Sequence, residues 1–138
     1  MLIELALCAS VFLGADAKGE QPEREELQLA QIEQNIVTYT NAERKRYGLP
    51  PLEIDADLVR SARAHCAWMT RHRSLQHTRK AVAENIAMGQ PSSREVVRDW
   101  MNSSGHRANI LNRSYRRIGV AAYRMEGGRT YWCQQFLR

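Results

Sequence analysis

The chain has 138 residues, of which 43% are hydrophobic, and it carries a net charge of +5, as expected of one globular domain. It contains no run of about 18 apolar residues, so the sequence predicts no transmembrane segment. Most basic residues are spread singly, and the denser groups at 71–73 and 113–117 contain a single aromatic residue, Tyr115. One aromatic residue is too few for the stacking platform of a nucleic-acid site, which argues against nucleic-acid binding.

The first 17 residues, MLIELALCASVFLGADA, form an apolar segment that ends in the small-x-small pattern Ala15-Asp16-Ala17. This ending is typical of a secretory signal peptide, although no Lys or Arg precedes the apolar stretch and Glu4 lies within it. The alternative is a buried first helix of the domain. The signal peptide predicts a secreted, periplasmic or extracellular protein, in which the charged residues 18–28 form a flexible linker.

Apolar periodicity next predicts two helices. The first runs from about Glu26 to Tyr47 and ends at Gly48, because glycine favours a helix C-terminus. Its apolar stripe is Leu29, Ile32, Ile36, Tyr39 and Tyr47. Asp55 is a favourable N-cap for a second helix that continues to about His72. The inner face of this helix is predicted to carry Leu58, Ala62, Cys66 and Met69.

A polar loop, a third helix and two strands complete the predicted elements. Ser92 and Glu95 form a capping box for the third helix, which stops near Gly105. Its buried residues are predicted to be Val96, Val97 and Trp100. Alternating runs at 118–125 and 129–136 predict a hairpin closed by two adjacent glycines. Helices followed by strands indicate an α+β domain.

Two segments carry the residues that could bind a ligand or take part in catalysis, QHTRKAVAENIA (76–87) and WMNSSGHRANIL (100–111). Their Gly, Asn and Ser residues predict turns, where His77, Glu84 and His106 can converge on a cleft. Two imidazoles and one carboxylate suit zinc with an open fourth position. They also suit a structural cluster in which Glu84 holds the two segments together through hydrogen bonds.

These segments resemble the signature motifs of the CAP superfamily, the cysteine-rich secretory, antigen-five and pathogenesis-related proteins, in its small bacterial form. The resemblance extends to NAERKRYGLPPLEIDADLVRSARAHCAWM (41–69) and RIGVAAY…YWCQQF (117–136), and covers about residues 33–137. It implies that residues 29–138 form a CAP domain. The fold of that domain is an α-β-α sandwich around a short antiparallel sheet.

In animal and plant members of the superfamily, the central cleft contains two histidines and two glutamates, and some members bind zinc. The resemblance assigns the histidines to His77 and His106 and the first glutamate to Glu84. The second glutamate would follow Trp100 by three residues, where this chain has Ser103. The cleft is therefore predicted at His77, Glu84, Ser103 and His106. His77 and His106 are candidate ligands of Zn²⁺ or another divalent cation. The missing second carboxylate is expected to weaken the binding of such a cation.

The remaining titratable residues near these motifs receive other interpretations. Glu95 is explained as the partner in the helix cap and is not placed in the cleft. His65 and His72 match no family site and are expected to be solvated or core histidines.

Two cysteines, Cys66 and Cys133, remain after the predicted leader is removed. Their predicted helix and strand pack together in the CAP fold, so the resemblance makes one disulfide feasible in an oxidising compartment. Such a bridge would stabilise the fold by about 4 kcal/mol in the chain-entropy model. The alternative is a pair of buried free thiols.

Two functional classes remain. The resemblance favours a secreted, monomeric, non-enzymatic module that holds a lipid, a peptide or a cell-wall component in its central cleft. The alternative is a metal-dependent zinc hydrolase that uses His77 and His106, with Glu84 as the candidate catalytic residue. The missing second glutamate counts against this alternative, because it removes a candidate general base.

Overall fold

The computed structural model of the protein describes residues 27–138. The predicted signal peptide (1–17) lies outside the described residues, as does all of the predicted linker except Leu27 and Gln28. Within residues 27–138, no helix is long and apolar enough to cross a membrane.

The described residues form a four-stranded sheet between helices. The elements are α1 (Gln31–Arg46), β1 (Glu53–Ile54), α2 (Ala56–His72), β2 (Ala83–Met88), α3 (Ser93–Met101), α4 (Ser104–Ile110), β3 (Arg117–Arg124) and β4 (Thr130–Leu137). The strand order is β1-β3-β4-β2. The short β1 runs parallel to β3, and the other pairs are antiparallel. The predicted α+β class and the α-β-α sandwich are confirmed.

Alternation along the strands gives the sheet two separate cores. On β4, Trp132 and Phe136 pack against Ile36 of α1 and Trp100 of α3. The intervening Cys133 belongs to the second core. That core lies beneath α2 and is built from Ala62, Cys66, Met69, Ile86, Ala121, Tyr131 and Cys133. We call this side of the sheet the α2 face.

Local capping signals placed several boundaries correctly. Asp55 is the N-cap of α2 and accepts a hydrogen bond from the Leu58 N–H at 3.0 Å. Ser92 caps α3 in the same way through the Glu95 N–H. The two hairpin strands lie within one residue of their predicted limits, because their alternation and the turn glycines are local properties of the sequence.

Three predicted boundaries were wrong. α1 begins at Gln31 and not near Glu26. The third predicted helix ends at Met101, after which Ser104 begins the separate helix α4. Residues 83–88, predicted as loop, form β2. This strand exists because it pairs with β4 along its whole length, and that partner lies more than forty residues further along the chain.

The apolar stripe predicted for α1 also needs correction. Ile36 is buried, but Ile32 is 38% exposed and Tyr47 is 51% exposed. The helix buries charged side chains in their place, among them Glu33, which forms a two-point contact with Arg63 of α2 at 2.8 and 2.6 Å. Partners from other elements make this burial favourable, because a buried charge requires hydrogen bonds.

The outer edge of β2 is covered by side chains of α3 and α4. Trp100 Nε1 donates to the Ile86 carbonyl at 3.2 Å, and Asn109 Nδ2 donates to the Glu84 carbonyl at 3.3 Å. Unpaired edge groups would otherwise invite pairing with another chain. The two motif segments are thus joined to each other directly at the sheet edge.

Candidate functional site

Glu84 lies at the centre of the candidate site with both carboxylate oxygens engaged. Oε1 accepts from His77 Nδ1 and from the Thr78 N–H, each at 2.9 Å. Oε2 accepts from Gln135 Nε2 at 2.8 Å and from the Cys133 thiol at 3.5 Å. The Glu84 side chain is only 3% exposed. This carboxylate therefore connects the loop that follows α2 to the last strand of the sheet.

The ring of His77 is held in place by this carboxylate. Its side chain is 61% exposed, while its Nδ1 is directed to Glu84. A carboxylate partner on one ring nitrogen sets the ring orientation and places the N–H on that nitrogen. Nε2 is consequently the nitrogen of His77 that remains for a ligand.

His106, the second predicted cleft histidine, lies in the first turn of α4. Burial lowers the pKa of His106 below its usual value, and the positive charge of His77 lowers it further. The His106 carbonyl accepts a hydrogen bond from Asn85 Nδ2 at 3.1 Å, which joins α4 to β2 at the residue that follows Glu84. Ser103 occupies the N-cap position of α4, where its side chain makes no cap hydrogen bond.

His65 is a third histidine beside Glu84, although it matches no family site. Its Nε2 lies 3.8 Å from Glu84 Oε1 and 2.7 Å from the Gln76 carbonyl oxygen. Its side chain is 12% exposed. The signal that could have found it is helical spacing, since His65 follows the buried Ala62 by three residues. His72, in contrast, is exposed.

An amide network on the opposite side of β2 anchors the second motif. Asn85 Nδ2 donates to the His106 carbonyl at 3.1 Å and to Gln134 Oε1 at 2.8 Å. Asn109 donates to Asn85 Oδ1 at 2.9 Å, and Gln134 donates to Thr40 Oγ1 at 3.1 Å. Sequence reasoning missed these residues because asparagine between apolar residues is also typical of turns.

The donor set in the cleft is small for a metal ion. In the part of the chain that the structure describes, no three His, Cys, Asp or Glu side chains are grouped so that they could hold one. The Glu84 oxygens accept hydrogen bonds from four groups of the protein. His77 and His106 remain as the two protein donors, one fewer than the three that catalytic zinc sites use.

The predicted disulfide is not present, and Cys66 and Cys133 are buried free thiols. Each thiol donates to a different acceptor. Cys66 Sγ lies 3.0 Å from the Tyr131 carbonyl oxygen, and Cys133 Sγ lies 3.5 Å from Glu84 Oε2. Burial raises the pKa of Cys66 to about 12, and burial with the nearby charge of Glu84 raises the pKa of Cys133.

We expect both thiols to be inert in the folded protein, because the thiolate is the reactive form. In a Cys8→Ser variant at pH 8, a thiol reagent should label no cysteine before denaturation and two cysteines after it. The same variant, once denatured, would show no reactive thiol if the two cysteines were bridged. Rapid labelling of the native protein would contradict the buried environment.

Comparison with known proteins places this chain in a family. Residues 37–136 match the Cysteine-rich secretory protein family, CAP. The uncharacterized protein YkwD of Bacillus subtilis is 41% identical, over 76% of this chain and 46% of that protein. The chain thus spans about half the length of this curated relative.

Two solved structures share the fold. An extracellular protein of Bacillus anthracis that contains an SCP domain superposes with a TM-score of 0.70 at 27% identity, covering 77% of this chain and 40% of that chain. An outer surface protein of Borrelia burgdorferi superposes with a TM-score of 0.72 at 20% identity, covering 80% of this chain and 94% of that chain. On the match over residues 37–136, this chain belongs to the cysteine-rich secretory protein (CAP) family.

Proposed function

We propose that this protein is a non-enzymatic binding module that acts outside the cytoplasm and holds an anionic cell-envelope component in the cleft beside His77 and His106. The export signal predicted at residues 1–17 supports this location. The similar Bacillus anthracis protein, which is extracellular, supports it as well.

The observation that carries the proposal is the saturation of the Glu84 carboxylate. A general base or a metal ligand needs an oxygen lone pair directed at the substrate or the ion. The four hydrogen bonds to Glu84 instead come from the protein itself, and the side chain is 3% exposed. Glu84 therefore acts as a tether that shapes the cleft.

Two exposed arginines that neighbour the histidines in the chain indicate the kind of ligand. Arg79 follows His77 by two residues, Arg107 follows His106 directly, and both are exposed. Exposed guanidinium groups around a cleft attract anions, and Arg pairs well with carboxylate and phosphate groups. Among the lipids, peptides and cell-wall components predicted from the sequence, anionic envelope material fits these two arginines best.

A divalent cation in this cleft would have His77 Nε2 and His106 as its donors. Zinc supplies a Lewis acid and lowers the pKa of bound water when it is held by three protein ligands. The chain contributes two imidazoles, and Glu84 would orient the His77 ring through its hydrogen bond to Nδ1. The donor set thus supports the hydrolase alternative less well than the binding module.

The variant Glu84→Gln tests the tether. Glutamine has one acceptor oxygen where glutamate has two, and its NH2 group replaces either the oxygen that accepts from Gln135 or the one that accepts from His77 and Thr78. At least one buried donor therefore loses its partner. We expect a loss of about 1–3 kcal/mol in the free energy of unfolding, which thermal denaturation would report as several degrees. The same variant should sediment less with isolated bacterial cell envelopes, because the loop that carries His77 is no longer fixed.

Glu53→Gln is the matched control, since Glu53 is exposed on β1 and its replacement should change stability by less than about 0.5 kcal/mol. The wild-type protein should be released from the envelopes by high salt, as electrostatic binding requires. Metal-dependent cleavage of an ester or a peptide by the wild type, lost in a folded Glu84→Gln variant, would replace this proposal with the hydrolase.

A further inference from the structure

We propose that the protein has a second binding site, for a small organic carboxylate with an apolar body, in a pocket between the end of α2 and the β3–β4 turn. We call this cavity of about 530 Å³ the hairpin pocket. Its wall combines two arginines, Arg73 and Arg129, with the apolar surfaces of Met88, Met125 and Tyr131. Pockets of about 300–1,000 Å³ with apolar walls and few polar groups are typical of small-molecule sites.

The hairpin pocket is separate from the cleft beside Glu84. Both lie on the α2 face, but Glu84 pairs with Gln135 whereas Met88 pairs with Tyr131, four residues further along both strands. Four residues of strand span about 13 Å. The buried Cys133 lies between the two positions on β4. A ligand in one site therefore does not reach the other.

Arg73 occupies a backbone position that favours glycine. It is the C-cap of α2 with φ 49° and ψ 42°, the left-handed conformation. Glycine adopts this conformation without the steric cost that a side chain incurs. The backbone at this position favours glycine, yet the residue is an arginine, and its side chain lines the pocket.

Arg129 reaches the same pocket from the other side. A Cβ placed on Gly89 would lie 3.9 Å from Arg129 Cδ, so the methylene stem of Arg129 packs over the glycine at the end of β2. This contact supports the apolar part of the side chain and leaves the guanidinium at the rim. The two arginines therefore border the pocket from α2 and from the hairpin.

The charges around the pocket favour an anion. None of the ion pairs within residues 27–138 includes Arg73, Arg129 or Glu126. Two guanidinium groups and the single carboxylate of Glu126 leave one positive charge in excess. Arginine pairs with carboxylates through two parallel hydrogen bonds. Met88, Met125 and the Tyr131 ring offer an apolar surface to the body of the same ligand, which a bare anion would not use.

The test uses 4-phenylbutyrate as the probe and methionine methyl groups as reporters. In protein labelled with ¹³C at the methionine methyls, titration should shift Met88 and Met125, which line the pocket. Met101 packs against the other core and should not move. The uncharged 4-phenylbutyramide and inorganic phosphate should each bind about tenfold more weakly. The amide lacks the carboxylate that pairs with arginine, and phosphate lacks the apolar body.

Two variants remove the guanidinium groups one at a time. Arg73→Gly suits the left-handed backbone and should keep the fold, and Arg129→Met keeps the apolar stem; each should weaken 4-phenylbutyrate about tenfold. Arg71→Met is the control, since Arg71 is exposed on α2 outside the pocket wall, and it should bind like the wild type. Equal binding of the amide, unchanged affinity in both variants, or no saturable shift up to about 10 mM would overturn the proposal.

Discussion

Gly119→Ala is expected to destabilise the protein by about 3 kcal/mol, the upper part of the range for overpacking. Gly119 lies on β3 at the point where α2 crosses the sheet. A Cβ at this position would overlap the backbone carbon and the Cβ of Leu58 and the nitrogen of Val59. Those atoms belong to the first turn of α2, so the helix itself would have to move away from the sheet.

Chemical denaturation of the variant measures this effect, and Gly105→Ala is its control. Gly105 lies within α4, and a Cβ there meets no atom within 4 Å. Alanine in a helix is favoured over glycine by about 0.5–1 kcal/mol, so the control should be slightly more stable than the wild type. A Gly119→Ala variant as stable as this control would show that α2 does not pack as closely as the structure indicates.

Arg44→Met should also cost about 3 kcal/mol or more, because it removes a fully buried guanidinium that organises two loops. Arg44 donates to the carbonyl oxygens of Pro50 at 2.9 Å, Ile110 at 2.8 Å and Asn112 at 2.9 Å. Each stranded buried carbonyl costs about 1–3 kcal/mol. Loss of the buried charge offsets part of this, since burial already lowers the pKa of Arg44.

Arg46→Met is the control for this experiment. Arg46 lies two residues further along α1, is exposed, and pairs with Glu43 at 3.1 Å. Exposed pairs of this kind contribute about 0–1 kcal/mol. Urea denaturation should therefore separate the two variants clearly. Arg44→Lys should fall nearer to Arg44→Met than to the wild type, because one ammonium group cannot replace the planar fork of donors. Equal stability of the Arg44→Met and Arg46→Met variants would show that the hydrogen bonds of Arg44 to the three carbonyl oxygens do not stabilise the fold.

Arg44 also explains how a helix near the start of the domain influences the cleft. Ile110 is the last residue of α4, the helix that carries His106. Helix C-terminal carbonyls lack partners within the helix and favour a nearby positive charge. Arg44 supplies both the donor and the charge, and so fixes the end of α4. We therefore place Arg44 among the residues that position the site, although it does not touch the cleft.

The amino-acid sequence by itself determined the features that depend on neighbouring residues. Asp55 and the capping box at Ser92 set the starts of α2 and α3. Alternation set the limits of the hairpin, and helical spacing set the buried side of α2. The motif resemblance supplied the family and the α-β-α sandwich, and it singled out His77, Glu84 and His106 as a group. Such patterns are readable because caps, turns and periodicity act within a few residues.

Only the tertiary structure decided which partners those residues have. β2 needs β4 to become a strand, and the Glu84 carboxylate meets partners on two elements, with Gln135 51 residues away. The same long-range packing buries Arg44 against carbonyls up to 71 residues away and brings His65 beside Glu84. It also gives each buried thiol its own acceptor in place of a bridge. A buried polar group is stable only with a partner, and no local pattern in the sequence identifies a partner that folding brings from a distant segment.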